Sequence, residues 1–403
     1  MIPMLPSHEQ LRYVGGTREQ FSPLPLEPFA SEARRFVAAL STSLMSDTAT
    51  RALPDVVAFA WWCRKANIEK LAAEYQVNQL RIGRGVAFHI APANMPVNFA
   101  FSWIFSLLAG NANIVRIPSR AFPQIKVILD HVKNVFATGQ YPTVAAMTAF
   151  VSFGREEEIT RAFSEIADVR LIWGGDETIR AIRNAPLSAR GIDVCFADRY
   201  SICVLGAQEI LAADQTRLEL LAGGFFNDAY IMDQNACSSP RLVMWYGSEE
   251  RIDTAMMRFW RAVEAETERR YTLAPVAAVE KLMQACRDAV DLECAAQLDR
   301  NRNSVYRVRL KTLDPAIEAR RCGSGYFYEY ASASLDVLAP IITARYQTLT
   351  YFGVDTGELK SLVIRHRLKG IDRIVPVGEA MNIGLLWDGY DLIRTLSRIC
   401  DVH

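Results

Sequence analysis

The residue types best suited to covalent chemistry meet in one short segment, Asn235-Ala236-Cys237-Ser238-Ser239-Pro240, which follows the run from Ala229 to Asp233. A cysteine in a turn of small polar residues, just past an apolar segment, is placed as an exposed nucleophile would be. Its thiolate could attack a carbonyl carbon and carry an acyl group. An inert packing cysteine gives the same local pattern, because most free cysteines fill cores, and spacing alone leaves both readings open. Asn94 is the second candidate, in the turn Ala91-Pro92-Ala93-Asn94-Met95-Pro96. A side-chain amide held between two prolines could donate to a developing oxyanion. An Asx turn or a helix N-cap would look the same.

These residues need a frame. Val86 to Ile90 is a short apolar run entered through Gly83 and Gly85, as expected of a buried strand. After the Pro-rich break an apolar helix runs to Ala109 and stops at Gly110-Asn111. Ile114 to Ile117 reads as strand and Gln124 to Phe136 as an amphipathic helix. Ala149 to Phe153, Glu156 to Ile166 and Val169 to Trp173 read as strand, helix and strand. This alternation predicts an α/β fold with a parallel sheet covered on both faces. Ligands of such sheets bind beyond the carboxyl ends of the strands, which here carry Ala91–Pro96, Pro118–Arg120 and Gly174–Asp176. Upstream, residues 1–30 are rich in proline and read as an irregular lead-in, and residues 31–74 as a helical region. Downstream, strands are expected at Ser201–Leu205, Arg241–Trp245, Val305–Leu310 and Tyr326–Tyr330, with helices near 249–266 and 277–290. A second α/β domain, with the active site in the cleft between the two, is the expected arrangement.

Composition narrows the function classes. The chain has 403 residues, 45 Lys plus Arg and 45 Asp plus Glu. At roughly 150 residues per domain it holds two or three domains. A zero formal charge argues against a duplex-binding protein, which needs a cationic surplus, so no nucleic-acid partner is expected. The most apolar stretch, Val97 to Ala109, is shorter than the roughly 20 residues that span a bilayer, and no targeting signal stands out, so a cytoplasmic enzyme away from membranes is expected. Eight cysteines without a CxxC pair or zinc-ligand spacing predict neither a metal site nor a disulfide framework. Apart from Cys237 they read as small core residues.

At this point a resemblance enters. The segment RGVAFHIAPANMPVNFAFSWIFSLLAGNANIVRIPSR resembles the first cofactor-binding βαβ unit of the aldehyde dehydrogenase superfamily. More narrowly, LIWGGDETIRAIR, DQNACSSPRLVMW, QTLTYFG and WDGYDLIRTLSR resemble the fatty acyl-CoA reductases of bacterial luminescence, the LuxC type. The similarity runs from about residue 80 to the end. It implies an aldehyde-dehydrogenase-like fold: a helical lead-in and nicotinamide-cofactor-binding domain over residues 1–190, a catalytic α/β domain over 191–375, and a C-terminal segment, 376–403, for oligomerisation or a return to the first domain. It also implies that Cys237 is the nucleophile and Asn94 the oxyanion donor of an enzyme that reduces an acyl thioester to the aldehyde.

The cofactor implied is NADPH, with NADH as the alternative. Ile90, Ala91 and Pro92 at the first strand end, Arg116 and Ser119 at the second, Gly154 and Arg155, and the turn Gly174-Gly175 fall where relatives hold the dinucleotide, and Glu329 where they contact the nicotinamide ribose. Ile117 stands where the superfamily often has Lys, and Arg155 where relatives have Ser. No GxGxxG fingerprint occurs. The Glu-Leu-Gly-Gly motif that hydrolyses the acyl-enzyme in aldehyde-oxidising relatives is also missing, which favours reduction. Two other activities stay open: an aldehyde or semialdehyde dehydrogenase working toward oxidation, and a cysteine acyltransferase or thioesterase without cofactor. The acyl donor expected is acyl-CoA, an acyl-carrier protein or an acyl-protein synthetase partner, and the assembly expected is a homodimer or tetramer.

Overall fold

The computed structural model describes residues 5–75, 79–92 and 95–402. The chain divides into two compact units, Met1–Ala197 with Tyr390–His403, and Asp198–Gly389. The first boundary falls at Ala197 rather than 190, and the last segment joins the first unit from Tyr390 rather than from 376.

The strands of the first unit are β1 (Arg12–Gly16), β2 (Leu80–Gly83), β3 (Val86–Ile90), β4 (Ala112–Arg116), β5 (Thr148–Ser152), β6 (Val169–Trp173) and β7 (Ile192–Phe196). Six of them form one sheet in the order β1-β5-β4-β3-β6-β7, parallel except for β1. Every residue of β3 and β5 is buried, the signature of strands covered on both faces. The apolar helix Asn98–Leu108 lies in the core, with Trp103, Ile104 and Leu107 fully buried. Strand β2 pairs instead with Ser397–Cys400, which ties the C-terminal segment into this unit.

Two expectations are corrected here. Residues 1–30 are not wholly irregular, because Arg12–Gly16 forms an antiparallel edge strand against β5. Its Gly15-Gly16 pair, poor in strand propensity, conceals it, and the backbone of Gly16 turns to φ 72° beside Thr148, where a side chain would clash. The helical region 31–74 is four helices, Ser31–Ser46, Thr48–Arg51, Pro54–Trp62 and Lys65–Glu74. Asp47 breaks the run by adopting extended backbone and accepting the Ala49 N–H at 3.1 Å as an N-cap. Pro54 opens the next helix, at the position where its missing N–H costs nothing.

The second unit is built on β8 (Tyr200–Gly206), β9 (Pro240–Tyr246), β10 (Ala295–Asn301), β11 (Val305–Leu310), β12 (Tyr326–Ser332), β13 (Tyr346–Phe352) and β14 (Arg373–Pro376). The sheet order is β10-β11-β12-β9-β8-β13-β14, with only β10 antiparallel to its neighbour. Strand β8 shows why two cores form. Tyr200, Ile202 and Val204 pack on one face with Tyr328 and Leu349, while Cys203 and Leu205 pack on the other with Phe225, Phe259 and Trp260. That alternation follows from the two-residue period of a strand. The helices Gln215–Ala229 and Glu249–Arg270 supply the second face.

Candidate active site

Cys237 sits in the turn between the helix Gln215–Ala229 and β9. The turn is held by backbone in the left-handed region at Asp233 and Gln234 (φ 50° and 61°) and by the Gln234 side chain, which is fully buried. Gln234 Nε2 donates to the carbonyls of Pro240 at 2.8 Å and Tyr326 at 3.1 Å, and its Oε1 accepts the N–H groups of Gly325 and Tyr326 at 3.0 and 3.1 Å. All four polar positions of that amide are therefore used to fix the loop. Ser239 Oγ donates to the Asp228 carbonyl at 2.7 Å, and Ser201 Oγ to the carbonyl of Cys237 itself at 2.7 Å.

Ser201 marks an irregularity in the sheet. On β13 two residues, Gln347 and Thr348, stand opposite Ser201, and the register of β9 shifts at the same level, between Ser201 and Ile202 of β8. Such bulges re-aim side chains near active sites. Here they leave Gln347 beside Cys237, with Thr348 N–H donating to Ser201 Oγ at 3.2 Å. Gln347 Nε2 in turn donates to Asp388 Oδ1 at 2.8 Å, and Arg199 Nε lies 2.7 Å from the same oxygen. Asp388 occupies a left-handed turn position (φ 54°) next to Gly389, and its carboxylate is buried.

Burial pushes the Cys237 thiol up to about 11, and the Asp388 carboxylate pushes in the same direction. The Gln347 hydrogen bond, the Cys237 N–H and the Arg199 charge pull the other way. Asp388 is itself raised by burial against the pull of Arg199 and Gln347. Nearby, burial pushes Asp228 up to about 7 although it accepts the N–H groups of Gly378 and Ala380 at 2.6 and 2.9 Å. Gln347, Asp388 and Arg199 are the site residues that spacing did not reveal. The only sequence signal was that QTLTYFG and WDGYD matched a family pattern without an assigned chemistry.

In the first unit, the residues expected at a cofactor fall along one edge. Ile90, Ala91 and Pro92 end β3, Arg116 ends β4 with Ser119 just beyond, Gly154 and Arg155 follow β5, and Gly174 and Gly175 follow β6. Because β5, β4, β3 and β6 are adjacent and parallel, all lie at the carboxyl edge, and the winding reverses between β3 and β6, the place where such sheets bind ligands. The Arg116 guanidinium stacks over the Phe153 ring at 4.4 Å and donates to the Gly154 carbonyl. Glu156 keeps a buried Oε2 without a hydrogen-bond partner among the described residues. Gly175 caps the helix Asp176–Arg183. Asn94 lies outside the described residues. His89 is a packing residue on β3: its ring nitrogens meet Ser102 Oγ at 2.8 Å and Asn113 Oδ1 at 3.0 Å, and burial lowers its pKa to about 4.

Glu329 requires a correction. It is fully buried, and its Oε1 accepts the indole N–H groups of Trp245 at 2.9 Å and Trp260 at 2.6 Å. A carboxyl group enclosed by two indoles, with Arg307 3.6 Å from Oε2, is built into the core of its unit, and that Oε2 has no hydrogen-bond partner among the described residues. The seven other cysteines are not all core residues either, since Cys286 is exposed. Among the described residues no cluster of His, Cys, Asp and Glu could hold a metal, and no helix is long and apolar enough to cross a membrane.

The fold is that of aldehyde dehydrogenases. The NADP-dependent glyceraldehyde-3-phosphate dehydrogenase of Bacillus halodurans, solved with NADP, superposes with a TM-score of 0.61 at 14% identity, over 91% of this chain and 85% of that one. Lactaldehyde dehydrogenase from Escherichia coli gives 0.60 at 13% identity, over 88% and 80%. The bifunctional proline utilization A protein gives 0.60 at 14% identity over 89% of this chain, which spans 40% of that larger protein. No curated protein matches significantly by sequence. The model of the acyl-CoA reductase (LuxC) family matches residues 65–399, and the chain belongs to that family. It is therefore an oxidoreductase of the acyl-CoA reductase type.

Proposed function

We propose that this protein reduces an acyl thioester to the aldehyde through an acyl-enzyme on Cys237, with NADPH as reductant. The observation that carries the reading is the seating of Cys237: a rigid turn beside a double register shift, with Gln347 at its sulfur, in a chain of the acyl-CoA reductase family. After losing its proton, Sγ attacks the thioester carbonyl. Asn94 and the N–H of Cys237 hold the oxyanion, each such donor being worth roughly 10²–10³ in rate. The carbon–sulfur bond to the leaving thiol breaks, that thiol takes up a proton, and the acyl group stays on Cys237. A nicotinamide cofactor held at the carboxyl edge of the first sheet, by residues such as Arg116, Gly154 and Gly174, would supply the hydride that the acyl carbon takes up. The thiohemiacetal on Cys237 then collapses, releasing the aldehyde and restoring the thiolate.

The carboxyl edge of the first sheet suits a dinucleotide. The Glu156 carboxylate packs against Gly154 so closely that a Cβ there would meet its Oε1 at 2.8 Å, and the orphaned Glu156 Oε2 offers an acceptor for a ribose hydroxyl. Arg116 and Arg120 are the cations near the adenosine end. Arg120→Ser and Arg116→Ser are expected to raise the KM for NADPH about tenfold to a hundredfold, the range of one charged hydrogen bond, with KM for NADH changed less than threefold. Equal losses with both cofactors would remove the 2′-phosphate from this assignment.

The reading is tested by intact-protein mass after mixing with a long-chain acyl-CoA. The expected result is an acyl adduct on Cys237, absent in Cys237→Ala, that disappears when NADPH is added. An adduct indifferent to NADPH would establish acyl transfer instead. If acyl-CoA gives no adduct but an acyl-carrier-protein thioester does, the donor is protein-bound, as in a system with an acyl-protein synthetase. A homo-oligomer is expected by size exclusion.

A further inference from the structure

Gln347 and Asp388 belong to motifs for which the reaction above has no use, yet both are buried, are hydrogen-bonded to each other, and Gln347 lies beside the nucleophile. A carboxamide has two opposite faces. Its NH2 end carries two donors and its oxygen only accepts, so the end turned toward a sulfur decides whether thiolate or thiol is favoured. In this site the choice is fixed from behind. Asp388 Oδ1 accepts from Gln347 Nε2 at 2.8 Å, and an ionised carboxylate can only accept. It therefore holds the NH2 end in place, and the second N–H of the same nitrogen remains for Cys237. Arg199, 2.7 Å from Oδ1 and 3.4 Å from Asp372, anchors Asp388 and pulls against the burial that raises its pKa. Thr348 Oγ1 donates to Gln347 Oε1 at 3.4 Å, a weaker contact that agrees with the same orientation. The bulge that sets two β13 residues against Ser201 places Gln347 at this point.

We propose that Gln347 is the thiolate-stabilising donor of Cys237, and that Asp388, anchored by Arg199, is a positioning residue that sets the orientation of the Gln347 amide. The proposal deepens the acyl-enzyme reading by assigning the groups that govern the acidity of its nucleophile. The charged groups facing Cys237 are Asp388, Arg199 and Arg373, and those facing Asp388 are Arg199 and Asp372. Their effects can be separated by sign. As a bare charge, Asp388 disfavours the thiolate. As the orienter of Gln347 it favours the thiolate.

The test is the pH dependence of Cys237 alkylation by iodoacetamide in the full chain, read by peptide mass so that exposed Cys286 does not interfere, with folding checked by circular dichroism. Neither acyl donor nor cofactor is needed, so this result stands apart from success or failure of the acyl-adduct experiment. Gln347→Met keeps the volume and removes the donor. It is expected to move the midpoint upward by about 1–2 pH units, a fall of tenfold or more in alkylation rate at fixed pH, as the loss of a hydrogen bond to a charged group implies. Asp388→Ala is expected to move it upward too, although a negative charge has gone. In the Gln347→Met background the same Asp388→Ala change is expected to move it downward, because only the charge effect remains. An unchanged midpoint in Gln347→Met overturns the donor role. A downward or absent shift for Asp388→Ala in the unmodified background overturns the positioning role.

Discussion

Cys237→Ala is expected to abolish acyl-CoA-dependent NADPH oxidation, with a loss of about 10⁴–10⁶-fold, the scale seen when a covalent nucleophile is removed. The same variant should still be stabilised against heat by NADPH. The nucleophile lies in the unit Asp198–Gly389, and the cofactor candidates lie at the sheet edge of the other, so removing a sulfur leaves their geometry intact. Ligand stabilisation follows RT ln(1 + [L]/Kd), and a loss of the thermal shift together with activity would mean that the substitution had damaged the fold instead of the chemistry. A pH profile sharpens the expectation. Burial and the Asp388 charge push the thiol above its ordinary value, so the thiolate is the minor form at neutral pH. Where acylation limits, its rate should climb about tenfold per pH unit from neutrality toward pH 10, because each unit below the pKa costs a factor of ten in thiolate. Normal turnover in Cys237→Ala would end the acyl-enzyme mechanism for this chain.

The parts of this arrangement that sequence exposes are the ones whose causes are local. Strand Val169–Trp173 is readable to the residue because a strand covered on both faces is mostly apolar, and here only Arg170 interrupts the run. Pro92 and Gly174 follow from strand ends alone, whereas Arg116 and Gly154 rest on the family resemblance. The Cys237 turn was visible as a residue type in a suitable place, but its surroundings were not. Gln347 is 41 residues from the Asp388 it binds, and Thr348 is 147 from Ser201. Both meetings depend on a one-residue shift in register between β8 and β13, and no periodicity within either strand announces a shift. The edge strand Arg12–Gly16 was hidden for the opposite reason. Its Gly15 and Gly16 are poor strand formers, and pairing with β5 overrides them.

Glu329 shows what chain position leaves out, and it gives the second large expected effect. Its distance from Cys237 along the chain fits a cofactor contact, but successive residues of β12 face opposite sides. Tyr328 joins one core cluster, while Glu329 turns to the other side, between Trp245 and Trp260. Glu329→Ala would strand two buried indole N–H groups and leave Arg307 without its carboxylate, and it is expected to cost about 3–5 kcal/mol in chemical denaturation. Glu329→Gln keeps an acceptor for the indoles and should cost much less. The pH dependence separates the two variants further. Burial raises the pKa of Glu329 above its unfolded value, so the folded state holds the proton more tightly. Its contribution is fully present below the unfolded carboxylate pKa and declines as pH rises through the folded one, a decline that Glu329→Gln should abolish. In folded Glu329→Gln protein, KM for NADPH should be unchanged. A raised KM with undiminished stability would instead return Glu329 to the cofactor, and with it the ribose contact that the two indoles now argue against.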